Sequence, residues 1–388
     1  MSDTQSGRRE HQLATIRDRL DAGMDRREFF RALASGGYAV GMAHLLGVDD
    51  FLGAGNDEVP IVTALSRSDP DDPWSLEERT RHVPAAWYAA VEKAIELNEL
   101  LARFGFTGYL GSAVVPGDYD SATATVSIGI SSNADSIAKQ LDDLADGVSI
   151  DIETIVDVES HEDGLEWLEP RVVESVSERA VPSGVACETP SSLATLGPAM
   201  YHPDEKREFF VTAEHAFDGE KGDAQLTLPV EEVEQFDLGP VEYAHPVEDV
   251  VAVEPAGRLT PSNYIDTPTG ARVRGQLTRW GLADLVARGE TLEKVGALTG
   301  HTEGRIQGID AVTCFTDEFC RAGQIRWGGE MDLTDGDSGS VSYHPDPGGE
   351  DGDVLVAGFN NARTWWPGQS YVWGVAAYKL TEQYGYHF

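Results

Sequence analysis

Two textures of apolar and polar positions divide the chain. From Trp74 to Phe104 the run "WSLEERTRHVPAAWYAAVEKAIELNELLARF" places Trp87, Val91, Ala94, Ile95, Leu97, Leu100 and Leu101 at helical spacing, which predicts one or two amphipathic helices. "TATVSIGI" (123–130) and "VSIDIETIVDV" (148–158) alternate with the period of a strand, and "SIAKQLDDLADG" between them reads as a helix closing on Gly147. A strand, helix, strand unit is expected there. Beyond about Val181 the pattern shortens. "GVACETP", "REFFVTAEHAF", "AQLTLPV", "DVVAVEP", "GRIQGIDAVTCF", "AGQIRWGG", "DVLVAGFNN" and "SYVWGVAAYKL" are brief alternating stretches divided by Gly, Pro and Asp turns. Many short strands at this spacing indicate an all-β sandwich or barrel, and "KLTEQYGYHF" predicts a short closing helix.

Upstream stands "DRREFFRALASGGYAVGMAHLLGV", with Arg26 and Arg27 paired, Phe29 and Phe30 after them, and an uncharged, weakly apolar run from Ala32 to Val48. It resembles a twin-arginine export signal, which implies passage through that machinery in the folded state and a secreted or cell-surface product. An amphipathic helix of the mature protein is the alternative reading. The run is short for a membrane span, and no other segment reaches the roughly 20 apolar residues a span needs, so no stable span is expected. Three regions follow: 1–55, the signal region; 56–178, an α+β pro-region or permanent accessory domain; and 179–388, the β-rich domain.

Charge narrows the partners. The 388 residues carry 67 Asp+Glu against 29 Lys+Arg, a formal net charge of −38 spread along the chain. Such a field repels nucleic acid and anionic membranes. It suits a protein kept soluble in concentrated salt, where screening shortens self-repulsion, so a halophilic, haloarchaeal source is expected, with an ordinary acidic secreted protein as the alternative. Cys187, Cys314 and Cys320 are too few for a disulfide framework and lack zinc spacing. No metal and no organic cofactor is expected. Cys314 and Cys320 flank "FTDEF" and form either a hairpin disulfide or a free pair, with Cys187 left over.

The chemistry lies in the β-rich half. An apolar strand runs into Thr212-Ala213-Glu214-His215, Asp249 opens the strand "VVAV", and Ser338 stands in Gly336-Asp337-Ser338-Gly339. Glu248, Asp237 and Asp223 are other acids near Asp249. The blocks "TAEHAF", "DVVAVE" and "GDSGS", in that order, resemble the three catalytic blocks of the chymotrypsin and trypsin-like serine peptidases, and "KVGALTGHTEGRI" (294–306) is similar to the segment preceding the serine in many bacterial members. The resemblance covers about Val181 to Phe388. It implies a mostly β fold of two six-stranded antiparallel chymotrypsin-like β-barrels, preceded here by the smaller α+β segment, and an exported serine endopeptidase acting on polypeptide substrates.

By that resemblance Ser338 is the nucleophile, His215 takes and returns its proton, and Asp249 orients the imidazole. The N–H groups of Gly336 and Ser338 form the oxyanion hole. Asp337 would pair with an N-terminal amine freed by processing, and Asp332, six residues before the serine, would sit at the base of the primary pocket and favour Arg or Lys. Two positions depart from the family pattern: Ser340-Val341 stands in place of Gly-Pro, and Glu214 in place of Ala. A catalytically weak or inactive binding module is therefore the alternative. An esterase of the G-x-S-x-G kind fits less well, because that class orders its triad Ser, Asp, His.

Overall fold

The computed structural model describes residues 57–388 apart from 105–107, 132–147, 156–167, 174–178, 220–223, 231–234, 317–318, 330 and 367–368. The export-signal region and the helix expected over 136–147 lie outside the described residues. Strand β1 (Glu58–Arg67) pairs antiparallel with β2 (Leu76–Pro84), from Glu58↔Pro84 to Arg67↔Leu76. The helix expected from Trp74 therefore begins only at Ala85, as α1 (Ala85–Phe104). In β2 only Val83 is buried, so its conformation comes from the ladder with β1 and has no amphipathic period of its own. Pro84 marks the change, since a proline is tolerated next to the first helical turn but not inside it. Trp87, Val91, Ala94, Ile95, Leu97 and Leu101 face the core as the spacing predicts, whereas Leu100 is 45% exposed.

Strands β3 (Tyr109–Pro116) and β4 (Ala124–Ser131) form an antiparallel pair, and β5 (Ser149–Ile155) lies parallel to β4. Parallel neighbours need a crossover between them, which agrees with the strand, helix, strand reading as far as its strands go.

The first barrel uses β6 (Ala180–Ser183), β7 (Ala186–Glu188), β8 (Leu193–Thr195), β9 (Met200–His202), β10 (Arg207–Thr212), β11 (Gln225–Leu228), β12 (Phe236–His245) and β13 (Val250–Val253). Seven of them follow the order β8-β7-β11-β12-β13-β10-β9. Between β8 and β9 the Gly197 N–H donates to the Val211 carbonyl of β10 at 2.8 Å, so the ends of the path meet and the sheet curls. Seven segments stand where six strands were expected because Pro198, which has no N–H to give a ladder, interrupts one of them. Leu196, Phe210, Phe217, Leu226, Leu228, Val251 and Val253 fill the interior, together with Cys187.

The second barrel closes completely. Its elements are β14 (Thr260–Ile265), β15 (Ala271–Leu277), α2 (Arg279–Arg288), β16 (Thr291–Gly296), β17 (Gly300–Thr316), β18 (Phe319–Trp327), β19 (Val341–Pro345), β20 (Asp353–Trp366), β21 (Gln369–Ala376) and α3 (Ala377–Tyr384). The ring β16-β17-β18-β21-β20-β19 returns to β16 with every pair antiparallel. The chain is thus mostly β, as expected, with barrel-like sheets. Helix α2 was not foreseen, although its signals are present: Thr278 Oγ1 accepts the Gly281 N–H and Gly289 ends the helix in the left-handed region.

The α+β segment is continuous with this barrel. β3 runs antiparallel to β17, with Ile309↔Val114 and Thr313↔Gly111, and β1 runs antiparallel to β15, itself parallel to β20. One core holds Trp87, Val91 and Ile128 together with Trp280, Ile309, Trp327 and Val372. Trp87 is fully buried, its indole N–H donates to the Gly117 carbonyl at 2.7 Å, and its ring meets Tyr119 and Trp280 edge-on. Trp87→Ala is expected to cost about 3–5 kcal/mol, read as a lower midpoint in urea unfolding at constant salt. A midpoint unchanged from the native chain would mean that the two parts do not share a core.

Candidate active site

Strand β10 delivers the histidine. Its last residues, Phe209 to Thr212, are buried, and a single turn of 3-10 helix, His215–Phe217, follows with Ala216 and Phe217 turned inward. Asp249 stands immediately before β13 with φ of 59°, a left-handed conformation that Asp tolerates better than most residues. The two meet at two points. The His215 N–H donates to Asp249 Oδ1 at 2.8 Å, and His215 Nδ1 lies 2.8 Å from Oδ2. An ionised carboxylate only accepts, so the proton of this second bond sits on Nδ1, and Nε2 carries the lone pair on the opposite side of the ring. The His215 side chain is 45% exposed, while that of Asp249 shows no surface at all.

A third donor reaches the same acid. Arg321 Nη1 lies 2.8 Å from Asp249 Oδ2, from strand β18 of the second barrel. Burial alone pushes the Asp249 carboxyl up, but the hydrogen bonds and charge of His215 and the charge of Arg321 hold it below the usual carboxylate range. For His215, burial lowers the imidazole, the hydrogen bond and charge of Asp249 raise it, Arg321 lowers it and Glu214 raises it; the net result lies above the ordinary histidine value. The neighbouring acids take other parts. Glu248 accepts the Tyr384 hydroxyl at 2.6 Å, Asp237 is exposed on β12, and Asp223 lies outside the described residues.

The serine loop precedes β19. Thr334 C=O accepts the Asp337 N–H, Asp337 C=O accepts the Ser340 N–H, and Gly339 N–H donates to Asn360 C=O on β20. Gly336 and Gly339 have φ of 99° and 90°, values that favour glycine. At Gly339 a Cβ would also strike Thr212 Oγ1 and the Thr195 carbonyl, so the loop packs against the end of the strand that delivers His215. Thr195 ties the parts together. Its N–H donates to Ser338 C=O at 2.9 Å, its Oγ1 donates to Gly336 C=O at 2.9 Å, and its carbonyl accepts from Thr212 Oγ1 at 2.8 Å. Among the described residues the N–H groups of Gly336 and Ser338 have no acceptor in the protein, and no hydrogen bond joins the Ser338 hydroxyl to His215.

Asp337 is held by five groups among the described residues. Its Oδ1 accepts the Leu298 and Thr299 N–H groups at 2.8 and 3.2 Å, its Oδ2 accepts Thr299 Oγ1 at 2.7 Å and the Thr334 N–H at 3.1 Å, and Lys294 Nζ lies 3.5 Å away. A lysine from β16 and the turn after it hold the carboxylate in the unprocessed chain, whereas the partner implied by the resemblance is an amine that only processing would free. Both Lys294 and Asp337 side chains are without exposed surface. Burial pushes the Lys294 amine down while Asp337 raises it in part, leaving it below the ordinary lysine value.

Asp332 Oδ2 accepts the Gly329 N–H at 2.7 Å and so closes its own turn. Ser340 is buried, and the Asn360 side-chain amide donates to its Oγ at 3.1 Å and its carbonyl at 3.2 Å. Val341 lies in the core between the barrels, beside Val295 and Phe359. Cys314 and Cys320 are bonded to each other, and Cys187 is free and buried. No group of ligands fit for a metal ion is present among the described residues.

Thr195, Lys294 and Arg321 are the residues that sequence reasoning missed in these roles. For Lys294 a signal existed, since it shares with Leu292 the inward phase of β16. Lys294→Met is expected to lower stability by about 3 kcal/mol, because Asp337 then lacks its counter-charge in a dry site. Thermal unfolding in high salt measures it, and a melting temperature equal to that of the native chain would assign the pairing no weight.

The sequence matches no protein-family model, and no curated protein matches it. Among solved structures the chain is similar to a Nocardiopsis protease, with 15% identity, a TM-score of 0.38, and coverage of 53% of this chain and 97% of that one. It is also similar to a glutamic acid specific serine protease, with 15% identity, a TM-score of 0.40, and coverage of 53% and 99%. A third is Protease A of Thermobifida fusca, with 16% identity, a TM-score of 0.36, and coverage of 53% and 97%.

Proposed function

We propose that the chain is a serine endopeptidase that cleaves polypeptides through an acyl-enzyme, with Ser338 as nucleophile, His215 as general base and acid, and Asp249 as the orienting carboxylate. The observation that carries the reading is the two-point grip of buried Asp249 on His215, together with a serine loop in which the N–H groups of Gly336 and Ser338 have no acceptor among the described residues. A serine hydroxyl is a poor nucleophile at neutral pH, so a base must take its proton during attack and return it to the leaving amine. The Nδ1–Asp249 bond leaves Nε2 as the basic atom and stabilises the imidazolium once formed. The N–H groups of Gly336 and Ser338 are the donors for the oxyanion, each worth about 2.7–4 kcal/mol in such sites.

The departure at Ser340 has a local partner in the Asn360 amide, which favours a working site over a retired one. With Asp337 held by Lys294, Thr299 and backbone N–H groups, the loop needs no new chain terminus to take this shape. Under the same proposal, Asp332 Oδ1 is the atom through which a basic substrate side chain would be favoured, Oδ2 being engaged in the turn. Export through the twin-arginine machinery and a haloarchaeal setting complete it, supported by Arg26-Arg27 and the charge of −38.

A fluorophosphonate probe in concentrated salt tests the core of the reading. Labelling is expected in the native chain and absent in Ser338→Ala, with casein turnover falling by roughly a millionfold in that variant and in His215→Ala alike. Folded native chain that never labels would sink the proposal. The pH course follows from His215: its neutral form is the base, and its value is raised, so the labelling rate is lost as pH falls through that raised value and levels off above it. A rate that is flat across this range would remove His215 from the reaction.

A further inference from the structure

The carboxylate of Asp249 serves more than the histidine. Oδ2 accepts both His215 Nδ1 and Arg321 Nη1, each at 2.8 Å, while Oδ1 is taken by the His215 N–H. The arginine comes from the opposite barrel, and its place there is heavily constrained. It follows Cys320, which is bonded to Cys314 across the hairpin, and it faces Thr313 on β17, a residue that pairs with Gly111 of β3 on its other side. Its side chain is mostly buried.

We propose that Arg321 is a positioning residue for the His215–Asp249 pair, holding the carboxylate from the second barrel and sharing the oxygen that the imidazole would otherwise have to itself. Its bearing on catalysis rests on the peptidase reading; its effect on the imidazole does not.

Imidazole and guanidinium compete for one carboxylate oxygen. A guanidinium is permanently charged and is weakly hydrated beside an ammonium, which suits it to a buried pair. Seated on Oδ2 it keeps Asp249 ionised. It also spends part of that negative charge, so an imidazolium on the same oxygen is stabilised less than it would be by an unshared carboxylate. Among the described residues the leading charged groups around the imidazole are Asp249, Arg321 and Glu214. Around Asp249 they are His215 and Arg321, with the buried Glu248 next in the chain turned to Tyr384. Among these Arg321 is the permanent cation, and removing it leaves, of these groups, only acids beside the histidine. A bonded hairpin of few residues gives the guanidinium little freedom to leave, and so the two barrels are stitched at the atom on which the proton transfer depends.

Histidine NMR titration of the full chain in the Ser338→Ala background tests this without requiring activity, with the His215 resonance identified by its loss in His215→Gln. Arg321→Gln is expected to move the His215 midpoint to higher pH, and Arg321→Lys, which restores a cation, to keep it near that of the parent. In active protein the acid limb of kcat/KM should move in step, with little change in KM. Arg321→Met, which keeps the packing of the stem, replaces the glutamine variant if that one does not fold. An unmoved midpoint on loss of the charge, or a lysine variant that shifts as far as glutamine, would overturn the proposal. Failure of the fluorophosphonate probe on the native chain would instead count against the peptidase reading and leave the titration to judge Arg321.

Discussion

An ionised carboxylate withdrawn from water costs several kcal/mol unless donors replace its hydration, and this chain withdraws two within one site. Asp249 and Asp337 have no exposed side-chain surface, in a protein whose 67 acids otherwise have every reason to face solvent. Their donors come from far apart: the 3-10 turn after β10, the hairpin β17–β18, strand β16 and the turn that follows it, and the backbone at Thr334. Asp337 draws its donors from the second barrel alone, but Asp249 takes His215 from the first and Arg321 from the second, so satisfying it requires the two barrels to be brought together in one arrangement. The serine loop and the histidine turn inherit their relative placement from that requirement, and Thr195 transmits it through hydrogen bonds to Gly336, Ser338 and Thr212.

The α+β segment takes part in the same arrangement through backbone pairing. β3 lies along β17, so the strand that carries Cys314 is held on one side by β18 and on the other by β3. Arg326, on the strand that also carries Arg321, reaches Glu153 of β5 and the Ser127 hydroxyl of β4. A path of ladders and ion pairs thus runs from β5 to the carboxylate beside His215. Whatever the fate of the segment during the protein's life, the hairpin beside the site is built against it.

Features with short-range signatures were legible in the sequence. His215, Asp249 and Ser338 stand in local patterns, an apolar strand before a small-residue turn, an acid opening a Val-rich strand, and a serine between glycines that need left-handed φ. The β-rich texture followed from alternation alone. What escaped depended on distant partners. Leu76–Pro84 is a strand only because β1 lies beside it, and neither "LEERTRHVP" nor its charges announce that. Arg321 looks like any hairpin residue until the barrels close and bring it to Asp249. Asp337 meets Lys294, which lies far from it in the chain, only once β16 and the serine loop are packed together, while the partner implied by family likeness is an amine that processing would free. Helix α2 has a Thr cap and a Gly stop but no legible period, because it is short and buried on nearly every side, from Trp280 through Leu285 and at Ala287.

The unpaired cysteine bears on how the chain acquires its covalent bond. Cys187 sits in the interior of the first barrel beside Thr212, and burial pushes its thiol up to about 12. Disulfides exchange through attack by a thiolate with access to the sulfur, and a folded Cys187 has neither the charge nor the access. With Cys314 and Cys320 already opposed across a hairpin, an odd number of cysteines does not bring mispairing. Once the first barrel has closed, oxidation has a single product, and the third sulfur is a spectator.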